Sequence, residues 1–337
     1  MHIPDMMLQG AICPATAAVA ALGLAGTAYV AYKTKIKPAA SYFAGVTALI
    51  FAAQMANFPV QLDTSGHFLG AALAVALLGS AFGILAMSLV IIAQCFMFAD
   101  GGISVLGANL LNMALLASLP AILVREYFSS VSFQKTAYFA AAFASVIIAA
   151  AACAVELAIV GLAPVQDILV AMLSVHALIG LAEAGLTVAL LAVLTQAVTR
   201  VAPHRAWLVP LGLAAVITLV VSPFAATSPD GLEWAAAAFG CTCAHGGCVV
   251  HLASTFGCTC AHGACLMHMS GVFGCTCAHG ACIMHMPGVF GCTCAHGACL
   301  MHTSAPFAGY TAVTGFMGMS ALFAAAYGAG RVFARSK

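Results

Sequence analysis

Residues 137–160 read AYFAAAFASVIIAAAACAVELAIV, and Glu156 is their single charged side chain. As a helix this stretch rises about 36 Å, enough to cross a hydrocarbon core of about 30 Å. It is read as a membrane span. Runs of the same kind cover residues 11–32, 41–60, 103–124, 169–198, 206–227 and 308–331, each near or above the roughly 20 residues that a spanning helix needs. The 337-residue chain as a whole is 64% hydrophobic and 6% charged, a ratio that a soluble domain does not carry on its surface. Ten Lys plus Arg against nine Asp plus Glu offer no basic face for nucleic acid. The predicted fold class is an all-α integral membrane protein, a polytopic helical bundle of about 8–9 transmembrane segments in the lipid bilayer.

Residues 68–98 decide the count, because they suit one long tilted helix or two short ones meeting near Gly79 and Ser80. Lys33, Lys35 and Lys37 place the first loop inside by the positive-inside rule, which leaves the N-terminus and the loop at Gln61–His67 outside. Only a double crossing of 68–98 puts Arg125 with Lys135, Arg200 with Arg205, and Arg331, Arg335 and Lys337 inside as well. A hairpin and an inside C-terminus are therefore expected. The opening Met-His-Ile-Pro-Asp has no basic segment before its first apolar run, so no cleaved signal peptide is expected.

With histidine second, the terminal amine of Met1, the amide nitrogen of His2 and the His2 imidazole can close two fused chelate rings on one ion. A fourth nitrogen completes the near-planar set that Ni(II) and Cu(II) favour and tetrahedral Zn(II) does not. Such a set must lose protons to bind, so binding should fail at low pH. Outside the C-terminal insert the other histidines are His67, His176 and His204. The topology places His67 in an outer loop, beside the N-terminus. His204 sits with Arg200 and Arg205 and reads as part of a solvated basic loop. His176 lies in an apolar run, two helical turns before Glu183. Ionisable groups at that depth are functional suspects, and hydrogen bonding within the bundle explains His176 equally well.

Several segments resemble the CbiM/NikM family, the nickel and cobalt substrate-capture components of energy-coupling factor transporters. They are Met1-His2-Ile3-Pro4-Asp5, Gln54-Met55-Ala56-Asn57-Phe58-Pro59-Val60, Thr64-Ser65-Gly66-His67, and Asp100-Gly101-Gly102 followed by Gly107-Ala108-Asn109 and Asn112-Met113. The resemblance covers residues 1 to 227 and implies a metal-capture permease domain that holds Ni(II) or Co(II) with Met1, His2 and His67. It also implies partners, a membrane coupling (T) subunit and cytoplasmic ATP-binding subunits, and a place in a bacterial or archaeal cytoplasmic membrane. Gln54, Asn57, Asp100, Asn109 and Asn112 read either as groups orienting the ligands or as helix caps and interhelical hydrogen bonds. Residues 228–337 form a second unit, whose start at Ser228-Pro229-Asp230-Gly231-Leu232-Glu233 resembles the PDGLE (NikN/CbiN-like) module, closed by the span at 308–331.

Within that unit, residues 240–302 hold four copies of a 17-residue repeat, Gly-Cys-Thr-Cys-Ala-His-Gly-x-Cys-x-x-His, beginning at Gly240, Gly257, Gly274 and Gly291. The candidate ligands are Cys241, Cys243, His245, Cys248 and His251, then Cys258, Cys260, His262, Cys265 and His268. The third and fourth copies repeat them as Cys275, Cys277, His279, Cys282 and His285, then Cys292, Cys294, His296, Cys299 and His302. A unit this short buries no core, so metal or disulfides must order it. Thiolate with imidazole suits Zn, copper or nickel, and an oxidising location suits disulfides, which leave the histidines unexplained. Neutral repeat expansion stays open beside both.

No phosphate loop of the Gly-x-x-x-x-Gly-Lys-Ser/Thr type is present, so ATP hydrolysis is expected on separate subunits and no enzymatic role is expected here. The rival readings are a membrane-anchored transition-metal buffer or sensor built on the repeats, and a redox enzyme using them for copper or iron.

Overall fold

The computed structural model describes residues 2–5, 7–61, 64–98, 100–128, 134–226, 228, 230–237 and 311–335, with backbone strands between 242 and 302. In chain order, α1 (Ile12–Lys33) and α2 (Ala40–Gln54) lead through the hairpin β1 (Phe58–Gln61) and β2 (Thr64–Gly66) to α3 (Ala71–Leu78) and α4 (Ser80–Phe98). Next, α5 (Leu106–Asn109), a π-helical stretch (Leu110–Leu116) and α6 (Leu119–Tyr127) make one span. Then come α7 (Gln134–Ile159), α8 (Val165–Val198), α9 (Leu208–Val216), the short α10 (Gly231–Ala237) and α11 (Thr311–Arg335). Among the described residues, seven helices are long and apolar enough to cross a membrane, and α2 is a shorter apolar helix. The protein is a multi-pass helical membrane bundle.

Between helices in lipid the hydrophobic effect is weak, so packing depends on small residues that let backbones approach. Gly107 in α5 lies against the backbone of Ala17 in α1, and a Cβ on Gly45 in α2 would stand 2.8 Å from the Trp207 carbonyl. α2 is the central helix, buried from Phe43 to Gln54. It is shorter than the 41–60 run suggested: Pro59 disfavours helix at the residue before it, and the chain turns into β1.

The 68–98 segment breaks at Gly79, where φ is +87°. α3 and α4 then fold against each other so tightly that a Cβ on Gly83 would lie 2.7 Å from the Val75 backbone. His67 before this segment and Asp100 after it both reach His2, so the chain returns to the face it left. The first leg is unusual. α3 rises only about 12 Å, and residues 67–70, which precede it, form no helix. Non-helical backbone buried in a bundle persists only where protein groups satisfy it. Glu183 of α8 does so, accepting from the N–H groups of Leu69 and Gly70 at 2.8 Å each, while Gln54 donates to the Leu69 carbonyl at 2.6 Å.

The repeats form two parallel sheets, one strand of each per copy. One holds β3 (Thr242–Cys243), β5 (Cys258–Cys260), β7 (Gly274–Cys277) and β9 (Gly291–Cys294); the other holds β4 (Cys248–His251), β6 (Cys265–His268), β8 (Cys282–His285) and β10 (Cys299–His302). Pairing is in steps of one repeat, so Cys260 faces Cys277 and His268 faces His285 along the ladders. Near-identical copies stacked in register satisfy their backbone bonds with one another, the logic of a solenoid. Cys241, His245, His262, His279 and His296 lie outside the described residues.

Candidate metal centre

The N-terminal arm is tied into the bundle by a short set of bonds. The Ile3 N–H donates to Asn109 Oδ1 at 2.8 Å, and Asn109 Nδ2 donates back to the Ile3 carbonyl at 3.0 Å. The Gly102 N–H also reaches that carbonyl, at 3.1 Å. Asp5 accepts from the backbone N–H and hydroxyl of Ser104 at 3.0 and 2.6 Å. Ile3 and Leu8 are fully buried beside these contacts. Gly101, with φ of +83°, leaves no space for a side chain, since a Cβ there would stand 2.8 Å from Asn109 Nδ2. This is the local reason for Asp100-Gly101-Gly102: the two glycines let the arm press onto α5.

The arm delivers His2 onto His67, with the rings stacked, centroids 5.5 Å apart and planes inclined by 23°. His2 Nδ1 lies 3.3 Å from Asp100 Oδ1, and His67 Nε2 lies 3.9 Å from Asp230 Oδ2. Burial lowers the pKa of both imidazoles below the usual 6.5. Both rings are therefore neutral at pH 7, and the carboxylates meet them as charge against dipole rather than as ion pairs. Neutral imidazole is the metal-ready form. The same shift acts on stability: His67 favours the fold fully above its unfolded pKa of about 6.5, and that contribution is lost as acid protonates the unfolded chain first.

Asp230 belongs to the motif at residues 228–233, and nothing local in that motif marks its carboxylate as a neighbour of His67. Its Oδ1 accepts from the N–H groups of Leu232 and Glu233 at 2.8 and 2.9 Å, and Glu233 Oε2 accepts from the Asp230 N–H at 2.9 Å. Asp-Gly-Leu-Glu is thus a capping box at the start of α10. One carboxylate oxygen is spent on the cap and the other faces His67. Ser65 fixes this register by donating to the Ser228 carbonyl at 2.6 Å, and Ser65 pairs with Asp230 as an isolated bridge. The segment from Ser228 to α10 therefore lies against the strand and loop that carry His67. Asp230→Ala is expected to lower metal affinity about 10- to 100-fold, the usual effect of losing a group that orients a ligand. Glu233→Ala, which loses only half of the box, should leave affinity within a few-fold in the same calorimetric titration.

The remaining candidates divide. Asn109 and Asp100 act at the arm and at His2, and Gln54 acts on the His67 loop. Asn112 instead donates to Glu156 at 2.7 Å within the bundle, and Asn57 uses its backbone carbonyl to hold the Ala226 N–H at 2.9 Å. Met1 lies outside the described residues. Among the described residues, no three His, Cys, Asp or Glu side chains gather as a metal-ligand set.

Residues 2–201 match the family described as the cobalt uptake substrate-specific transmembrane region, CbiM. An Archaeoglobus fulgidus chain whose name assigns it to fused nickel transport (NikMN) is 36% identical over 236 residues, 68% of this chain and 78% of that one. The fused nickel transport protein NikMN of Rhodobacter capsulatus is 33% identical over 128 residues, 37% of this chain and 36% of that one. A crystal structure of a truncated transition metal transporter aligns with a TM-score of 0.52 at 26% identity, covering 58% of this chain and 99% of that one.

Proposed function

Because this chain belongs to the CbiM family of cobalt uptake transmembrane regions, we propose that it is the capture subunit of an energy-coupling factor transporter importing Ni(II) or Co(II). The ion is held by the terminal amine of Met1, the amide nitrogen and imidazole of His2, and the imidazole of His67. The observation that carries this reading is the stacking of two neutral imidazoles, His2 buried and His67 partly buried, at the end of a tethered N-terminal arm. Nδ1 of His2 is the nitrogen that a fused chelate requires, and Asp100 attends it in this structure. Two carboxylates at the rings make the pocket attractive to a cation, and planar nitrogen geometry selects against Zn(II). Energy for import comes from a coupling subunit and ATP-binding subunits at the cytoplasmic membrane.

The repeats, whose cysteine and histidine positions pair in register from copy to copy, serve this site by raising the local concentration of nickel-class ions. Calorimetry with Ni(II) tests the division of labour. One tight equivalent should survive deletion of residues 240–302. Loss of all binding with the repeats would replace this reading with a tethered buffer.

Proton release in the same titration is a second check. The imidazoles are already neutral, so each Ni(II) should displace roughly two protons at pH 7, from the amide and from an amine of pKa about 7.7–8.0. Three or more would show that the rings are protonated in the free site.

A further inference from the structure

His176 in α8 is buried, with 1% of its surface exposed. Its Nδ1 lies 2.7 Å from the Met172 carbonyl, a contact that only an N–H donor satisfies, so Nε2 carries the lone pair. Among the described residues Nε2 has no hydrogen-bond partner. An orphaned buried acceptor of this kind calls for an explanation. It borders a cavity of about 10 Å³, close to the size of one water or one bare metal ion, which His67 and Asp230 also line. Two glycines keep this space open. A Cβ on Gly231 would stand 2.8 Å from His176 Cε1 and 3.1 Å from Nε2, and a Cβ on Gly66 would stand 2.8 Å from Ile179.

We propose that His176 Nε2 and the Asp230 carboxylate form an inner position for the same class of divalent transition-metal ion, which the ion enters after leaving His67. The proposal rests on the capture reading above. A backbone-anchored imidazole with a fixed tautomer is the arrangement that holds histidines as metal ligands. An inner position with fewer protein donors than the four-nitrogen capture set also has the gradation that transport needs, favourable enough to enter and weak enough to leave. The glycine of the Asp-Gly-Leu-Glu motif then has a reason beyond the cap: any larger residue closes the step between the two positions.

The test is radioactive nickel uptake in the native host carrying His176→Gln or Gly231→Ala. Glutamine can still donate to the Met172 carbonyl and fill the space, so it restores a packing role and removes the imidazole ligand. The expected result for both variants is a maximal uptake velocity at least ten-fold lower with the half-saturating nickel concentration unchanged. Wild-type velocity in His176→Gln overturns the proposal. Should a variant also lose thermal stability, anomalous scattering at the cobalt edge from crystals of the full wild-type chain in millimolar Co(II) decides. A metal peak about 2.1 Å from His176 Nε2 supports the inner position, and a cavity holding only water overturns it. Wild-type metal binding by His67→Ala would instead overturn the capture reading by itself.

Discussion

His67→Ala, and separately His2→Ala, are expected to weaken Ni(II) binding by more than about 100-fold. Losing a group that merely orients a metal ligand already costs about 10- to 100-fold, and each substitution removes a ligand. In free energy this is upward of about 3 kcal/mol. The two losses should not add, because a chelate that has lost one member holds the remainder poorly in either variant. His204→Ala serves as the control: His204 is exposed beside Arg205 at the opposite end of α8 from the arm, and its loss should leave the titration unchanged. Full-strength binding by either principal variant would remove the planar four-nitrogen centre from consideration.

Glu183→Ala should produce the largest loss of stability among single substitutions in the bundle. Its carboxylate accepts from the N–H groups of Leu69 and Gly70, where the His67 leg runs without helix between buried segments. Truncation leaves two buried donors without an acceptor, at about 1–3 kcal/mol each. Removal of a buried carboxylate offsets part of this, so a net loss of about 2–4 kcal/mol is expected in thermal unfolding. Glutamine keeps one carbonyl acceptor and turns an amide donor toward the second N–H, so Glu183→Gln should recover about half. The slackened leg carries His67, so both variants should also lose metal affinity, the alanine more than the glutamine. Unchanged unfolding in Glu183→Ala would mean that water or a rearranged Gln54 satisfies these groups.

Two features explain how much of this molecule is visible in one dimension. The spans follow from runs of apolar residues, and the break at Gly79 from a glycine in the middle of a stretch too long for one helix. Both are local, because every backbone bond of a helix is made within the helix. The hairpin of α3 and α4 followed from the distribution of Lys and Arg, which is a property of loops and needs no knowledge of contacts. Charge-derived topology puts His2 and His67 on one side, and the family resemblance groups them as ligands. The strands of the repeats were not legible, since a segment of glycine, cysteine and histidine carries no period of two in hydrophobicity, and its pairing is between copies rather than within them.

Apolar runs and the placement of Lys, Arg and Gly are enough to show that the protein crosses a membrane and that its 68–98 segment breaks, and they put His2 and His67 on one side. Their surroundings are a matter of tertiary contacts. Asp230 lies 163 residues from His67 in the chain and meets it through the pairing of Ser65 with the segment before α10. Glu183 stands in the sequence as an ionisable group in an apolar run, and only the unwound leg beside it shows which donors it accepts from. For His176 the sequence leaves a functional role and bundle hydrogen bonding side by side, and the structure shows both a Met172 carbonyl at Nδ1 and an Nε2 with no partner among the described residues, beside a cavity. The physical reason is common to all three. Helix formation and membrane insertion are set by near neighbours in sequence, whereas the satisfaction of a buried polar group depends on whatever distant segment the bundle brings within 3 Å of it.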